Sequence, residues 1–285
     1  MRRIAYLGPE ATFTHAAAIL WDPEAKHLPQ KNFTAVAAAV RQGEAEEGLI
    51  AVENTLGGAV AETAKLLFAE NDLFVRGEVL LPVQQDFFVK PGARLEGIKR
   101  VRSHEQGLLQ CKGWLSLHLP NAILESMAST AGAVQSLAES DDTVAAIGPS
   151  LAGKLYGAQA LACGIQDHKA NATRFLVLAR EDWAAWTGND KTMIRFSFGE
   201  KDRAGQLAAA LNLFAKANVN LFRIESGPTG KELGEYLFLV EVAGHRKDPQ
   251  LENVLAQLQK LTGLDENGKS RLVVLGSYRR WRKQA

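Results

Sequence analysis

Thr173 and Arg174 stand at the mouth of the run "NATRFLVLA", Asn171 to Ala179, where polar side chains give way abruptly to apolar ones. Arginine there offers a planar fork of N–H donors matched to a carboxylate, and threonine offers one hydroxyl that can donate to an oxygen. The same two residues also suit a plain strand end, with the guanidinium reaching water and the hydroxyl closing a turn. Glu53-Asn54-Thr55 precedes the paired glycines Gly57 and Gly58, which let backbone approach a ligand and equally supply the dihedrals of a turn. Ser103 and His104 have the types of a nucleophile and a base, but neighbours at i and i+1 on a helix do not face each other. Ser103-His104-Glu105-Gln106 reads instead as a capping box, with Ser103 the cap and Gln106 reaching back to it. A serine so placed also aims its hydroxyl at whatever occupies the helix N-terminus. Gln110 shares its helical face about two turns down, tilted back toward that end.

The histidines show no spacing such as H-E-x-x-H, so a metal centre has no support, and both a P-loop and Gly-x-Gly-x-x-Gly are absent. What remains is a set of hydroxyls and amides with Arg174 as its placed cation, suited to an anion and calling for no cofactor. It fits a passive receptor for a carboxylate ligand. It equally fits an enzyme whose substrate carries most of its own driving force.

These residues sit on a repeating framework. From Arg3 to about Ala179, short apolar runs lead through polar or glycine-bearing junctions into amphipathic helices, which is α/β patterning. The junctions "AYLGPEATFTHAA", "LIAVENTLGGAV", "VRSHEQGLL", "ESMASTAGAV" and "VAAIGPSLAG" each place Ser, Thr, Asn or Gly where a strand ends and a helix can be capped. In open α/β sheets the crevice beyond the strand C-termini binds ligands, and helix N-termini bring free N–H groups to it. The segment "REDWAAWTGNDK", Arg180 to Lys191, breaks the pattern and is read as a linker. Beyond it the order is βαββαβ, the ferredoxin-like α+β arrangement, with Leu207, Leu211 and Phe214 on the helix face that packs on the sheet. The final "RRWRKQ" reads as a solvated basic tail.

Composition narrows the function classes. In 285 residues, 46% hydrophobic and 23% charged, Lys plus Arg (33) balances Asp plus Glu (32). No global field recruits nucleic acid or a membrane surface, so the expected partner is a small molecule. Cys111 and Cys163 lie far apart with no redox or metal spacing, which suits a reducing cytoplasm. The opening "MRRIAYLGPEATF" is cut by Gly8, Pro9 and Glu10 before a secretory apolar region is complete, and no window is long and apolar enough to span a bilayer.

Taken in order, "YLGPEATFTHAA", "VENTLGGAV", "SHEQGLLQC", "STAGAV", "IQDHKANATRFLVL" and "IESGPT" with "GEYLFLVEVAGH" resemble the monofunctional prephenate dehydratases that carry a C-terminal ACT domain. The resemblance spans nearly the whole chain. It implies a two-lobed catalytic region of the periplasmic type II binding fold over residues 1–180, with lobes at about 2–77 plus 165–180 and at 78–164. A linker at 181–190, an ACT regulatory domain at 191–280 and a tail at 281–285 would follow. It further implies a cytoplasmic homodimer or homotetramer without a dissociable cofactor, converting prephenate to phenylpyruvate under feedback from L-phenylalanine.

The family's Thr-Arg-Phe motif falls on Thr173, Arg174 and Phe175, which implies an essential Thr173. Its other active-site positions fall on Asn54, Glu53, Ser103 and Gln110, and Phe175, Thr55, Ser129 and Thr130 are implied as substrate-binding, the last two forming a further cleft motif. Arogenate dehydratase shares these motifs, and a catalytically silent amino-acid or keto-acid sensor on the same fold is the other alternative. At the effector site the family's Pro-Gly-Ala-Leu is here Ala204-Gly205-Gln206-Leu207, and its Glu-Ser-Arg-Pro is Glu225-Ser226-Gly227-Pro228. Gly205, Leu207, Glu225, Ser226 and Pro228 therefore imply an L-phenylalanine site, weakened where Gly227 lacks the arginine.

Overall fold

In the first stretch of the chain, β1 (Arg3–Leu7), α1 (Phe13–Trp21), β2 (Lys26–Gln30), α2 (Phe33–Arg41) and β3 (Glu47–Asn54) alternate as the apolar pattern dictates. A computed structural model describes residues 1–70, 72–182, 185–199, 203–230 and 235–281. The two-residue β4 (Gly58–Ala59) folds back antiparallel on β3, pairing Asn54 with Gly58, before α3 (Ala61–Ala69) and β5 (Phe74–Pro82). Next come β6 (Asp86–Val89), β7 (Arg100–Ser103), α4 (Glu105–Gln110), α5 (Lys112–His118), β8 (Ile123–Ser126) and α6 (Thr130–Gln135). This region closes with β9 (Val144–Gly148), α7 (Ser150–Tyr156), β10 (Gln159–Ala162) and β11 (Ala172–Ala179). After Arg180 follow β12 (Asp190–Ser197), α8 (Gln206–Lys216), β13 (Leu221–Pro228), β14 (Tyr236–Ala243), α9 (Pro249–Thr262) and β15 (Leu272–Arg279). Of the expected basic tail, residues 282–285 lie outside the described residues.

Among the described residues the strands form three sheets. One has the order β2-β1-β3-β11-β5 with β4 on β3, one the order β10-β6-β9-β7-β8, and one the order β13-β14-β12-β15. The chain forms two compact units: Met1–Val36, Leu49–Val60 and Val79–Phe175 make up one, and Ala37–Gly48, Ala61–Glu78 and Leu176–Ala285 the other.

In the first unit the β6 strand shows why its sheet is covered on both faces. Successive side chains of a strand point to opposite sides. Phe87 accordingly joins a core with Val101, Leu108 and Leu115, while Phe88 joins another with Ala131, Val134 and Ala152. Every residue of β6 is buried, the mark of a sheet sandwiched by helices. Thr12 caps α1 by accepting the His15 N–H at 3.3 Å, and Ser129 caps α6 by accepting that of Gly132 at 2.9 Å. Ser103 does not cap α4. It is the last residue of β7, and His104 caps the helix by accepting the Gln106 N–H at 3.2 Å. The strand runs one residue further than the capping-box reading assumed, which turns the Ser103 side chain inward.

In the second unit β12 to β15 realise the βαββαβ order. Ile194, Phe196, Val240 and Val242 meet Phe214, Leu251, Val254 and Leu258 in one core. The face of α8 that enters this core runs through Ala210 and Phe214, with Leu207, Leu213 and Ala217 at its margins. Leu211 falls outside it, because the direction of greatest burial follows Ala210 and Phe214 rather than the heptad-like set read from the sequence. On the other face, Arg195 Nη1 donates to the carbonyls of Leu67, Phe68 and Glu70 at 2.6 to 3.3 Å, satisfying the end of α3. Beside it Lys191 Nζ lies 2.9 Å from Glu78 and 3.4 Å from Glu241, all three buried, and the Tyr278 hydroxyl donates to Glu241 at 2.5 Å.

Candidate active site

A cavity of about 580 Å³ opens in the first unit where strand ends and helix starts converge. Gly8, Pro9 and Thr12, between β1 and α1, form one wall with Phe13 at the start of α1, and Ser129 and Thr130 at the start of α6 form another. His104, Gln106, Gly107 and Gln110 enter from α4, and Asn54 and Thr173 from the ends of β3 and β11.

Asn54 ties the centre of this site together. Its Oδ1 accepts the N–H groups of Leu56 and Gly57 at 3.0 and 2.8 Å, closing the β3–β4 hairpin as an Asx turn. Its Nδ2 reaches Asn171 Oδ1 at 2.9 Å, Thr173 Oγ1 at 3.0 Å and the Ala172 carbonyl at 3.2 Å. The turn and the site contact are thus the work of one side chain. Thr173 Oγ1 accepts from Asn54, and among the described residues nothing accepts from Thr173. Its own hydroxyl hydrogen is therefore uncommitted at the cavity wall.

The remaining expected residues are placed unevenly. Gln110 and the Ser129-Thr130 pair line the cavity. Ser103 does not: it is fully buried, and its hydroxyl donates to the Ile147 carbonyl at 2.8 Å. Gly107 packs on it so closely that an added Cβ would lie 2.5 Å from Ser103 Oγ. Phe175 is buried in the interior. Thr55 exchanges hydrogen bonds with the Ala172 backbone, its hydroxyl donating to the carbonyl and accepting the N–H. Arg174, one residue along β11 from Thr173, projects to the opposite side, as strand alternation requires. It lies 4.0 Å from exposed Glu53, and neither side chain is on the cavity wall.

Sequence reasoning passed over three residues here. Lys31, just after β2, is the one lysine or arginine lining the cavity among the described residues, and no carboxylate is among the residues that line it with Lys31. A lone lysine in a polar stretch carries no sequence signal. Gln85, between β5 and β6, is 2% exposed and lines the cavity. His15 stacks on Tyr6 with ring centres 4.5 Å apart, and its Nδ1 accepts the N–H of Ala11, which sits at φ +61°. Burial lowers the His15 pKa from its ordinary value, with His27 beside it lowering it further and Glu10 opposing. The neutral ring holds the Gly8–Thr12 wall in place.

In the second unit, Gly205 adopts φ +89° at the start of α8, a conformation readily open to glycine, and Leu207 packs at the margin of the core. Glu225 accepts from Arg223 Nη2 at 2.6 Å, while Ser226 and Pro228 are exposed on β13. Gly227 is buried under Phe68, whose ring would stand 2.7 Å from an added Cβ. A side chain at position 227 would therefore meet that ring.

Among the described residues there is no cluster of metal-ligating side chains, and no helix is long and apolar enough to cross a membrane. The prephenate dehydratase family model matches residues 4–183 and the ACT domain model residues 192–259. The bifunctional chorismate mutase/prephenate dehydratase of Aquifex aeolicus is 37% identical over 277 residues, 97% of this chain and 73% of its own length. Prephenate dehydratase of Corynebacterium glutamicum is 34% identical, with 90% and 82% covered. Arogenate dehydratase 5 of Arabidopsis thaliana is 35% identical, with 97% and 67% covered. Among solved structures, prephenate dehydratase from Arthrobacter aurescens in complex with L-Phe superposes with a TM-score of 0.88 at 33% identity, covering 98% of this chain and 90% of that one. GqqA, described as a novel type of quorum quenching acylase, superposes at 0.86 with 28% identity and 98% of each chain covered.

Proposed function

The chain belongs to the prephenate dehydratase family, and from that premise we propose that its cavity converts prephenate to phenylpyruvate, carbon dioxide and water. Prephenate carries a ring carboxylate, a pyruvyl carboxylate and a ring hydroxyl, and losing the first and last together makes the ring aromatic. Aromatisation supplies the drive. The protein has to hold the anion, stabilise the departing oxygen and exclude bulk water.

One observation carries the reading: Thr173 is gripped through its lone pair by Asn54 at 3.0 Å, leaving its O–H free to donate at the cavity wall. A threonine hydroxyl is too weak an acid for efficient proton donation near neutral pH, so its role is a hydrogen bond to the leaving oxygen. Lys31 supplies positive charge for a substrate carboxylate, and the Ser129-Thr130 and Gln110 side chains supply further polar contacts. Arg174 and Glu53 steady the hairpin that carries Asn54, and Ser103 and Phe175 fix α4 and β11 from within.

Feedback by L-phenylalanine through residues 191–280 is supported by the ACT match and by the L-Phe complex of a close structural neighbour. We place the protein in the cytoplasm as a homodimer or homotetramer; Phe222 and Ile224, 38% and 44% exposed on the sheet-edge strand β13, suit contact with a second copy.

The test is to incubate purified protein with prephenate and with arogenate and to follow phenylpyruvate and phenylalanine. Phenylpyruvate from prephenate is expected. Phenylalanine from arogenate alone would move the assignment to arogenate dehydratase, and turnover of neither would leave the sensor reading or an acylase activity like that described for GqqA.

A further inference from the structure

We infer that Gln85 is a positioning residue for the reaction, acting through Gln110, an inference that rests on the dehydratase reading of the cavity. Gln85 Nε2 donates to Gln110 Oε1 at 3.1 Å. An amide whose oxygen is held in this way must turn its NH2 group elsewhere. No described residue accepts from Gln110 Nε2, and Gln110 lines the cavity. The bond thus selects which end of the Gln110 amide faces a bound anion: the donor end, which is the end an anion needs.

The framework around the two glutamines is built to hold that geometry. Gln85 N donates to Gln166 Oε1 at 3.0 Å, and the Gln85 carbonyl accepts from Ile165 N at 2.8 Å. The Gln110 carbonyl accepts from Asp167 N at 2.7 Å, and the Asp167 carboxylate accepts from Gly113 N at 3.0 Å. Residues 165–167 therefore clamp Gln85 and the end of α4 from one side, fixing the separation of the two amides. Gln85 Oε1, meanwhile, is buried with no hydrogen-bond partner among the described residues. A buried carbonyl left unpaired costs free energy, so the side chain is not placed there for its own sake. An apolar residue of similar size would fill the space without that cost. The retained amide makes sense if its Nε2 is what matters.

The proposal separates from a packing role by a double-mutant cycle. Gln85→Met keeps the volume and removes the donor, Gln85→Glu offers Gln110 an acceptor, and Gln85→His can restore an N–H. Steady-state kinetics with prephenate should show kcat lowered about tenfold or more by Gln85→Met and Gln85→Glu, with smaller changes in KM and partial recovery in Gln85→His. Thermal unfolding of each variant provides the folding control. The decisive comparison is Gln85→Met in a Gln110→Met background: a positioning residue has nothing left to position, so the second substitution should add almost nothing. An equal loss in both backgrounds, or an unaffected kcat in Gln85→Met or in Gln110→Met, overturns the proposal while leaving an active wild type and its dehydratase reading intact. A wild type that turns over neither prephenate nor arogenate removes the dehydratase reading itself, and the proposal falls with it.

Discussion

At the scale of single residues, the site depends on which hydrogens are already spent. Thr173 has its acceptor side filled by Asn54 and its donor side open. Thr173→Ala should lower kcat by at least about a hundredfold, the scale of losing one transition-state donor, while Thr173→Ser retains much of the activity. Steady-state assay of the folded variants decides this, and a near-normal kcat for Thr173→Ala would remove the role. Lys31, on the same cavity wall, should serve binding rather than chemistry. Lys31→Met should raise KM about tenfold or more with a smaller effect on kcat, as expected for a lost charge-assisted hydrogen bond, and Lys31→Arg should be milder. Unchanged KM in Lys31→Met would show that the substrate's charge is met elsewhere.

At the scale of elements, two contacts set the cavity walls. Helix α4 approaches β7 only because residue 107 is glycine: an added Cβ would stand 2.5 Å from Ser103 Oγ and 3.2 Å from Thr130 Cγ2. Gly107→Ala should destabilise the protein by about 1–3 kcal/mol through overpacking and reduce kcat/KM, since Gly107 itself lines the cavity. Adding Ser103→Ala should recover part of the stability by clearing the obstructing hydroxyl, which chemical denaturation can measure; additive losses would mean the two do not clash. The second contact is the imidazole of His15 with the Ala11 N–H. Protonating Nδ1 would set a donor against a donor. Because the folded pKa is lowered from 6.5, the neutral ring's contribution to stability is full above that value and is lost as pH falls through the folded pKa. Urea titrations between about pH 8 and pH 5 should show this loss in the wild type and a smaller one in His15→Asn, whose side-chain oxygen accepts at any of these pH values. Identical pH profiles would assign the loss to other groups.

At the scale of the whole molecule, the buried cluster of Lys191, Glu78 and Glu241 bears on how regulation is tested. Glu78 accepts from Lys191 and from the Trp281 N–H at 2.9 and 2.8 Å. Truncation near Asn189 would remove both of these partners together with most of the unit that contains Glu78, so point variants in the intact chain are the sounder probe. L-phenylalanine should inhibit with a sigmoidal dependence, as differential affinity for two states requires. Its binding should be weaker than is usual in the family, because Gly227 offers no guanidinium and Arg223 engages Glu225. Calorimetry and activity measurements should both respond, and Glu225→Gln should weaken both. No heat and no inhibition at millimolar phenylalanine would assign the ACT region to assembly or to another effector.

The sequence by itself determined the alternation of strands and helices and the βαββαβ module after residue 190, because periodicity and turn chemistry are local properties of the chain, while the order of its motifs, through their resemblance to the family, singled out Thr173, Asn54 and Gln110. Only the tertiary structure decided where the neighbours of those residues point. Ser103 turns inward because β7 extends through it, Arg174 turns away from Thr173 because successive strand residues alternate, and Leu211 is displaced by the direction in which α8 meets its sheet. Lys31, Gln85 and His15 could not be found in the sequence, since each gains its place from a partner far along the chain or from a loop whose path is set by packing. The unspent hydrogen of Thr173 belongs to the same class: Asn54 lies 119 positions away, and only folding brings its amide within reach.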